Sequence, residues 1–250
     1  MARTDPAMGG LELDGIEVAL SSGDSRFRLA VDVLSLVPGS LVALTGESGA
    51  GKTLLLEVMG LMRAPSPGGR YVYTDSDGEI TELTSLWRRG ANSPALAHAR
   101  GSLFGFVPQT GGLLNFLSVR DNIALPQRVA DRVDAAWVET LLELLGLADQ
   151  ANLHPGKLSV GQRQRVAIAR ALAHHPAFVI ADEPTAALDP ERSEDTLSLF
   201  LEMAKRTGCG VLLSSHEVDR IDRLGLPRLH LQVQREGDTT VSRLSKGVAS

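Results

Sequence analysis

From residue 11 to residue 37, apolar side chains recur at alternate positions: Leu11 and Leu13, then Phe27, Leu29, Val31 and Val33. A period of two predicts strands with one buried face, paired antiparallel, with the polar stretch SSGDSR as the loop between them. Three later runs have another character. LVALT (41–45), AFVIA (177–181) and VLLSS (211–215) are nearly continuous in apolar residues, which fits parallel strands covered on both faces. Helices are expected after each, over 52–62, 191–206 and 217–223, so the layout is α/β with helices covering a sheet.

The middle of the chain has helical spacing. Asp134 is placed to cap a helix through AAWVETLLELL, with Gly146 just past its end. A second helix is expected from Ser159 to about His174, carrying Val166, Ala169, Leu172 and Ala173 on one stripe. Residues 71–83 read as a hairpin around Asp77-Gly78, and 229–244 as a closing hairpin around Gly237. The segment 87–101 is polar, small and broken by Pro and Gly, and reads as a surface excursion; the final residues, 245–250, read as a loose tail.

Composition narrows the function. The formal net charge is −5 and the arginines are scattered, so the basic stripe of a nucleic-acid binder is missing and no nucleic-acid partner is expected. Cys209 is the only cysteine; intrachain disulfides and multi-cysteine metal sites are excluded, and a buried inert thiol is expected there. The first ten residues have no apolar core and do not read as a signal peptide, and no apolar run approaches the roughly 18 residues of a membrane span. A cytoplasmic location is therefore expected, with any membrane role exercised by docking onto a partner.

The strongest chemical signal is Gly46-Glu47-Ser48-Gly49-Ala50-Gly51-Lys52-Thr53, a full G-x-x-x-x-G-K-[ST] phosphate loop between a buried strand and a helix. Its glycines let successive N–H groups turn toward phosphate oxygens, and the helix adds its positive end. Lys52 supplies a point charge, and the Thr53 hydroxyl can ligate Mg2+. In FVIADEP, four apolar residues deliver Asp182 and Glu183 to a strand's carboxyl end, where open α/β sheets bind ligands. Asp182 can hold Mg2+, and Glu183 can act as general base toward water. Adjacent carboxylates there need a nearby cation, which a metal–phosphate site provides. Ser159 and Gly161 at a helix start make either an anion site or an ordinary serine cap. Gln109 and His216 each follow an apolar strand, where an amide can bond a metal-bound or attacking water and an imidazole can donate to a γ-phosphate. His174 and His175, at a helix end, read as partners of the helix dipole.

In this order, GESGAGKT, FVPQ with Gln109, LSVGQRQRVAIARAL, FVIADEP, TAALD with Asp189 and SSHE with His216 resemble the nucleotide-binding subunit of ATP-binding cassette (ABC) transporters. The resemblance covers nearly all of residues 11–233. It implies a P-loop NTPase core with a mixed, mainly parallel sheet, an N-terminal antiparallel β region and an inserted α-helical lobe. On this reading one ATPase domain spans 1–250, with the β region and first core strand at 11–45, phosphate loop to glutamine loop at 46–109, the lobe with its signature at 110–175, and the acidic strand and His loop in 176–244.

The resemblance also implies ATP with Mg2+ on Thr53, Gln109 and Asp182, and nucleotide contacts from Ser159, Gly161, Gln162 and Asp189. The second copy, or a paralogue, would join head to tail over two ATP molecules, and the pair would drive an integral membrane permease from the cytoplasmic face. VRDNIALPQ and VAIARALAHHPAFVIADEPTAALDP look most like the macrolide-export and lipoprotein-release class. Val160 stands where that signature commonly has Gly, the Lys52–Gln109 separation is longer than in that class with its surplus around 84–100, and Phe27 and Leu20 are the candidates to stack on adenine. Leu113, Leu114, Phe116 and Leu117 are either a docking face for the membrane partner or lobe core. Alternatives are an ABC ATPase that drives a regulatory or cell-division partner, or a soluble one of DNA repair or translation; the coiled coils, zinc modules or second cassette usual in the latter are not visible.

Overall fold

The structure, a computed structural model, describes residues 9–23, 25–110, 112–188, 190–245 and 247–249. Two compact units are formed, one from the residues up to Ala97 together with those from Ser214 onward, the other from His98–Leu213.

The first unit opens with β1 (Gly10–Ser22) and β2 (Ser25–Leu36), a long antiparallel pair. β1 reaches Ser22 and β2 starts at Ser25, so strand structure takes in most of SSGDSR, the expected loop. The alternation holds only in sections. Leu11, Leu13, Ile16 and Val18 point inward from β1, and Leu29, Val31, Leu34 and Leu36 from β2. Both strands slip phase by one residue where Gly15, at φ 58°, lies opposite the stretch between Val31 and Val33. The slip turns Val33 out to 41% exposure, against its expected place on the buried face.

Strand β3 (Leu41–Thr45) is buried at every residue and leads through the phosphate loop into α1 (Lys52–Met59). Strands β4 (Arg70–Thr74) and β5 (Ile80–Glu82) form the expected hairpin, in which the Asp75 carboxylate accepts from the backbone N–H of Asp77 and Glu79 at 2.9 Å each. The short α2 (Leu83–Leu86) follows. Residues 87–101 are mostly exposed, as a surface excursion would be, but they have secondary structure of their own: a 3-10 turn over Trp87–Arg89 precedes α3 (Pro94–Leu103). Ser93 Oγ accepts from the N–H of Leu96, and Leu96 and Ala99 are buried, so the helix has a cap and an apolar face despite its polar composition.

In the second unit, β6 (Phe104–Val107) lies close beneath a helix, because a Cβ on Gly105 would collide with the Ala171 carbonyl. Helix α4 (Val119–Val129) is capped by Ser118, and α5 (Ala135–Leu144) by Asp134, with Gly146 at φ 63° beyond it. Helix α6 (Val160–Leu172) starts at Ser159 as expected. The buried Gln127 amide ties these helices together by donating to the carbonyls of Asp134 and Ala173. Strand β7 (Phe178–Ala181) pairs parallel with β6; α7 (Pro190–Thr207) and β8 (Gly210–Ser214), also parallel to β7, complete this unit's layers. Cys209 is buried, and burial raises its thiol pKa, in keeping with an inert thiol.

The chain then returns to the first unit with α8 (Val218–Arg223) and β9 (Arg228–His230), the latter parallel to β3. β10 (Gln232–Glu236) and β11 (Thr239–Leu244) form the closing hairpin, and β11 runs parallel to β2 over Arg26–Val31. The last residues are more than a tail, since β12 (Gly247–Ala249) pairs parallel with Leu34–Leu36 of β2. The sheet β10-β11-β2-β1-β4-β5, with β12 on β2, therefore joins strands from residues 10–82 to strands from residues 232–249. Among the described residues, no helix is long and apolar enough to cross a membrane.

Candidate functional site

In the first unit, the buried β3 delivers the chain to a loop that only glycine can turn at its end. Gly51 holds φ 85°, and a Cβ there would stand 2.9 Å from the ring of Phe27. Gly51 is also the N-cap of α1, and no side chain caps that helix. Its leading amides and positive end fit an anion. Lys52 is 8% exposed, and its Nζ donates to the carbonyls of Gly46 at 2.9 Å and Glu47 at 3.1 Å. An ammonium has three donors, so one remains for a phosphate oxygen. The buried Ser242 hydroxyl donates to the Ala50 carbonyl at 2.6 Å and fixes the loop to β11. Phe27 and Leu20 lie opposite each other on β2 and β1 and line a recess of about 350 Å3 with Arg26 and Glu236 among its walls. Both adenine candidates therefore face one recess, and Phe27 also reaches the phosphate loop. His216 is exposed after β8, and the backbone beside it is secured by Ser215, whose N–H donates to the Leu44 carbonyl at 3.0 Å.

In the second unit, the β6–β7 ladder continues past both strands, because the Asp182 N–H donates to the Val107 carbonyl at 2.9 Å. Gln109 and the acidic pair thus emerge side by side, and the Gln109 amide donates to a Glu183 carboxylate oxygen at 3.1 Å. Asp182 is buried and Glu183 half-buried. Glu183 sits at φ 43°, a left-handed conformation that costs a non-glycine residue on the order of 1–3 kcal/mol. Such strain aims this carboxylate away from the direction that a regular strand end would give it.

The signature helix start shows the serine cap, one of the two descriptions the sequence left open. Ser159 and Gln162 form a reciprocal capping box: Ser159 Oγ accepts from the Gln162 N–H at 3.2 Å, and Gln162 Oε1 accepts from the Ser159 N–H at 2.9 Å. The serine is an ordinary cap, yet its own O–H remains a donor on an exposed helix end, with Gly161 in the first turn. Asp189 lies outside the described residues. Thr53 belongs to the first unit, and Gln109 and Asp182 to the second; among the described residues no group of three or more His, Cys, Asp or Glu could hold a metal.

Of the two histidines, His174 departs from expectation. His174 is buried, its Nε2 lies 3.2 Å from the Phe104 carbonyl, and burial pulls its pKa down to about 4, assisted by Arg132 and His175. It is neutral at pH 7 and cannot serve the helix dipole as a cation. His175 stacks on Trp137 at a centroid distance of 5.0 Å. Sequence reading passed over Arg170, which donates from Nη1 to the Gly112 carbonyl at 2.8 Å, and Asn122, whose buried amide bonds the backbone of Leu114, Leu117 and Ser118. The available signal was a lone arginine inside the apolar run VAIARAL.

The ABC transporter family matches residues 31–186, and this chain belongs to that family as one of its ATPases. It is 36% identical to the lipoprotein-releasing system ATP-binding protein LolD of Paramagnetospirillum magneticum, over 86% of this chain and 93% of that one. It is 34% identical to the macrolide export ATP-binding/permease protein MacB of Photorhabdus laumondii, over 90% of this chain but only 32% of the longer relative. The methionine import ATP-binding protein MetN of Brucella abortus is 38% identical over 76% of this chain and 49% of its own. Among solved structures, the dimeric post-hydrolysis state of the ATP-binding cassette MJ0796 with ADP and Pi superposes at a TM-score of 0.73, with 26% identity, covering 95% of this chain and all of that one.

Proposed function

We propose that this chain pairs head to tail with a second copy over two ATP molecules and powers a separate membrane permease from the cytoplasmic face, in export or extraction of a substrate. The observation that carries the catalytic part is the Gln109–Glu183 hydrogen bond at the end of the β6–β7 ladder. The backbone amides of 46–51 and the start of α1 cradle the phosphates, and Lys52 binds β- and γ-oxygens. Thr53, Gln109 and Asp182 would hold Mg2+, which would supply positive charge to the phosphate oxygens. Glu183 takes the proton as the water oxygen bonds to the γ-phosphorus; the bond to the ADP oxygen breaks, and His216 donates to the departing phosphate. Phe27, with Leu20, contacts adenine. The likeness to LolD over most of both chains supports release or export more than the shorter match to MetN supports import.

The docking face is supported by the lobe itself. Phe116 is 75% exposed, and Leu113, Leu114 and Leu117 are half-buried rather than lobe core. Asn122 holds the backbone of this loop, so the exposed ring is presented at little conformational cost, as suits an interface anchor.

Glu183→Gln keeps the shape and removes the base. Hydrolysis should fall by about 100-fold or more, while ATP binding persists and ATP-bound dimers accumulate on size exclusion. Near-normal turnover in this variant would remove Glu183 from the mechanism.

A further inference from the structure

The geometry points to Arg170 as the residue that positions Gln109 for catalysis, an inference that rests on the hydrolytic role proposed for Gln109. Arg170 stands in the last turn of the signature helix α6 and donates to the Gly112 carbonyl, three residues past Gln109. Gly112 has φ 56°, and a Cβ on it would lie 2.9 Å from Pro108 Cγ and 3.6 Å from Arg170 Nη2. The loop therefore folds back onto Pro108, the residue just before Gln109, and the guanidinium closes that fold from the outside. Gly112 is thereby fixed close to Pro108, and next to Pro108 the Gln109 amide donates to the Glu183 carboxylate.

A guanidinium is suited to this task. It binds a carbonyl through a rigid planar fork, while its stem packs along the helix. Burial lowers the Arg170 pKa, the mark of a charge taken partly out of water to make this contact. Asn122 fixes the next part of the same loop at Leu114, so the two side chains grip adjoining backbone on either side of Leu113. Arg170 also lies 11 residues from Ser159 on one helix, roughly 16 Å along its axis. Any displacement of the signature end is thereby delivered to the glutamine loop through a single rod.

The test uses the full chain and steady-state ATPase kinetics. Arg170→Met should lower kcat about tenfold and leave the Kd for a non-hydrolysable ATP analogue within about twofold, on the scale of one lost charged hydrogen bond. Arg170→Lys, which restores one donor, should recover kcat to within about threefold of the wild type. In a Gln109→Ala background, Arg170→Met should add no further loss of kcat, whereas its effect on Tm should persist, because a merely structural role would act equally in both backgrounds. Gly112→Ala attacks the same turn without touching α6 and should reproduce the kcat loss, which keeps the test alive should Arg170→Met fold poorly. Equal losses from Arg170→Met in both backgrounds, or an unchanged kcat in folded Arg170→Met or Gly112→Ala, overturn the role of Arg170 alone. An unchanged kcat in Gln109→Ala by itself overturns the role of Gln109, and the positioning role with it.

Discussion

His174 shows how far one side chain's surroundings can reverse its sequence reading. Its ring donates to the Phe104 carbonyl inside the lobe, and burial holds its pKa near 4, below the ordinary value of about 6.5. Between those values the unfolded chain takes up a proton that the folded chain refuses. Stability is therefore intact above about pH 6.5 and declines as the pH falls toward 4. From pH 7 to pH 5 the loss from this residue should approach about 2 kcal/mol. Urea midpoints at the two pH values measure it. His174→Gln, which keeps a donor for Phe104, should flatten that part of the profile, and an unchanged slope would show that other groups govern it. What was legible at Gln109, Glu183 and His216 is position: each follows an apolar run that forms a buried strand. Arg170 was not legible, because its partner is a backbone carbonyl far along the chain and carbonyls have no sequence.

Among the elements, periodicity located the strands that bury one or both faces, and the caps at Asp134 and Ser159 set helix starts to the residue. It failed where a single contact decides. The phase slip around Gly15 depends on both strands distorting together, and α3 buries only Leu96 and Ala99 in a polar segment. The loop before α4 was open to two readings, and its exposure favours the interface. Replacing Leu113 and Phe116 together with Ser should leave Tm within a few degrees and basal ATPase near wild type, because little of the pair is buried. Stimulation by the membrane partner should be lost, as measured with the reconstituted complex. A collapse of Tm and of basal rate together would return these residues to the lobe core.

At the scale of the whole molecule, the proposed pair of cassettes makes a statement that mixing can check. Ser159→Arg blocks the signature helix start, and Lys52→Ala disables the phosphate loop. Either homodimer then carries a lesion in both sites and should be nearly inactive. In a mixed dimer joined head to tail, both lesions fall in one site and the other is intact, so mixing should recover hydrolysis, or one tightly held nucleotide per dimer. No recovery in demonstrated heterodimers would mean that each signature serves its own chain's nucleotide.

The parallel pairing of β11 and β12 with β2 has a consequence in time. Leu36 ends β2, and its neighbour on that side begins only at Thr239. At about 5–20 residues per second, the ribosome leaves this edge without its partner for roughly 10–40 s. A bare strand edge invites pairing with other nascent chains, and charges are the usual guard against it. Arg28 and Asp32 carry such charges on β2. In the finished protein Arg28 meets Glu236 at 2.8 Å and Asp32 meets Arg243 at 3.0 Å. The side chains that guard the growing edge against its neighbours are thus the ones that receive its true partner once β10 and β11 have been made.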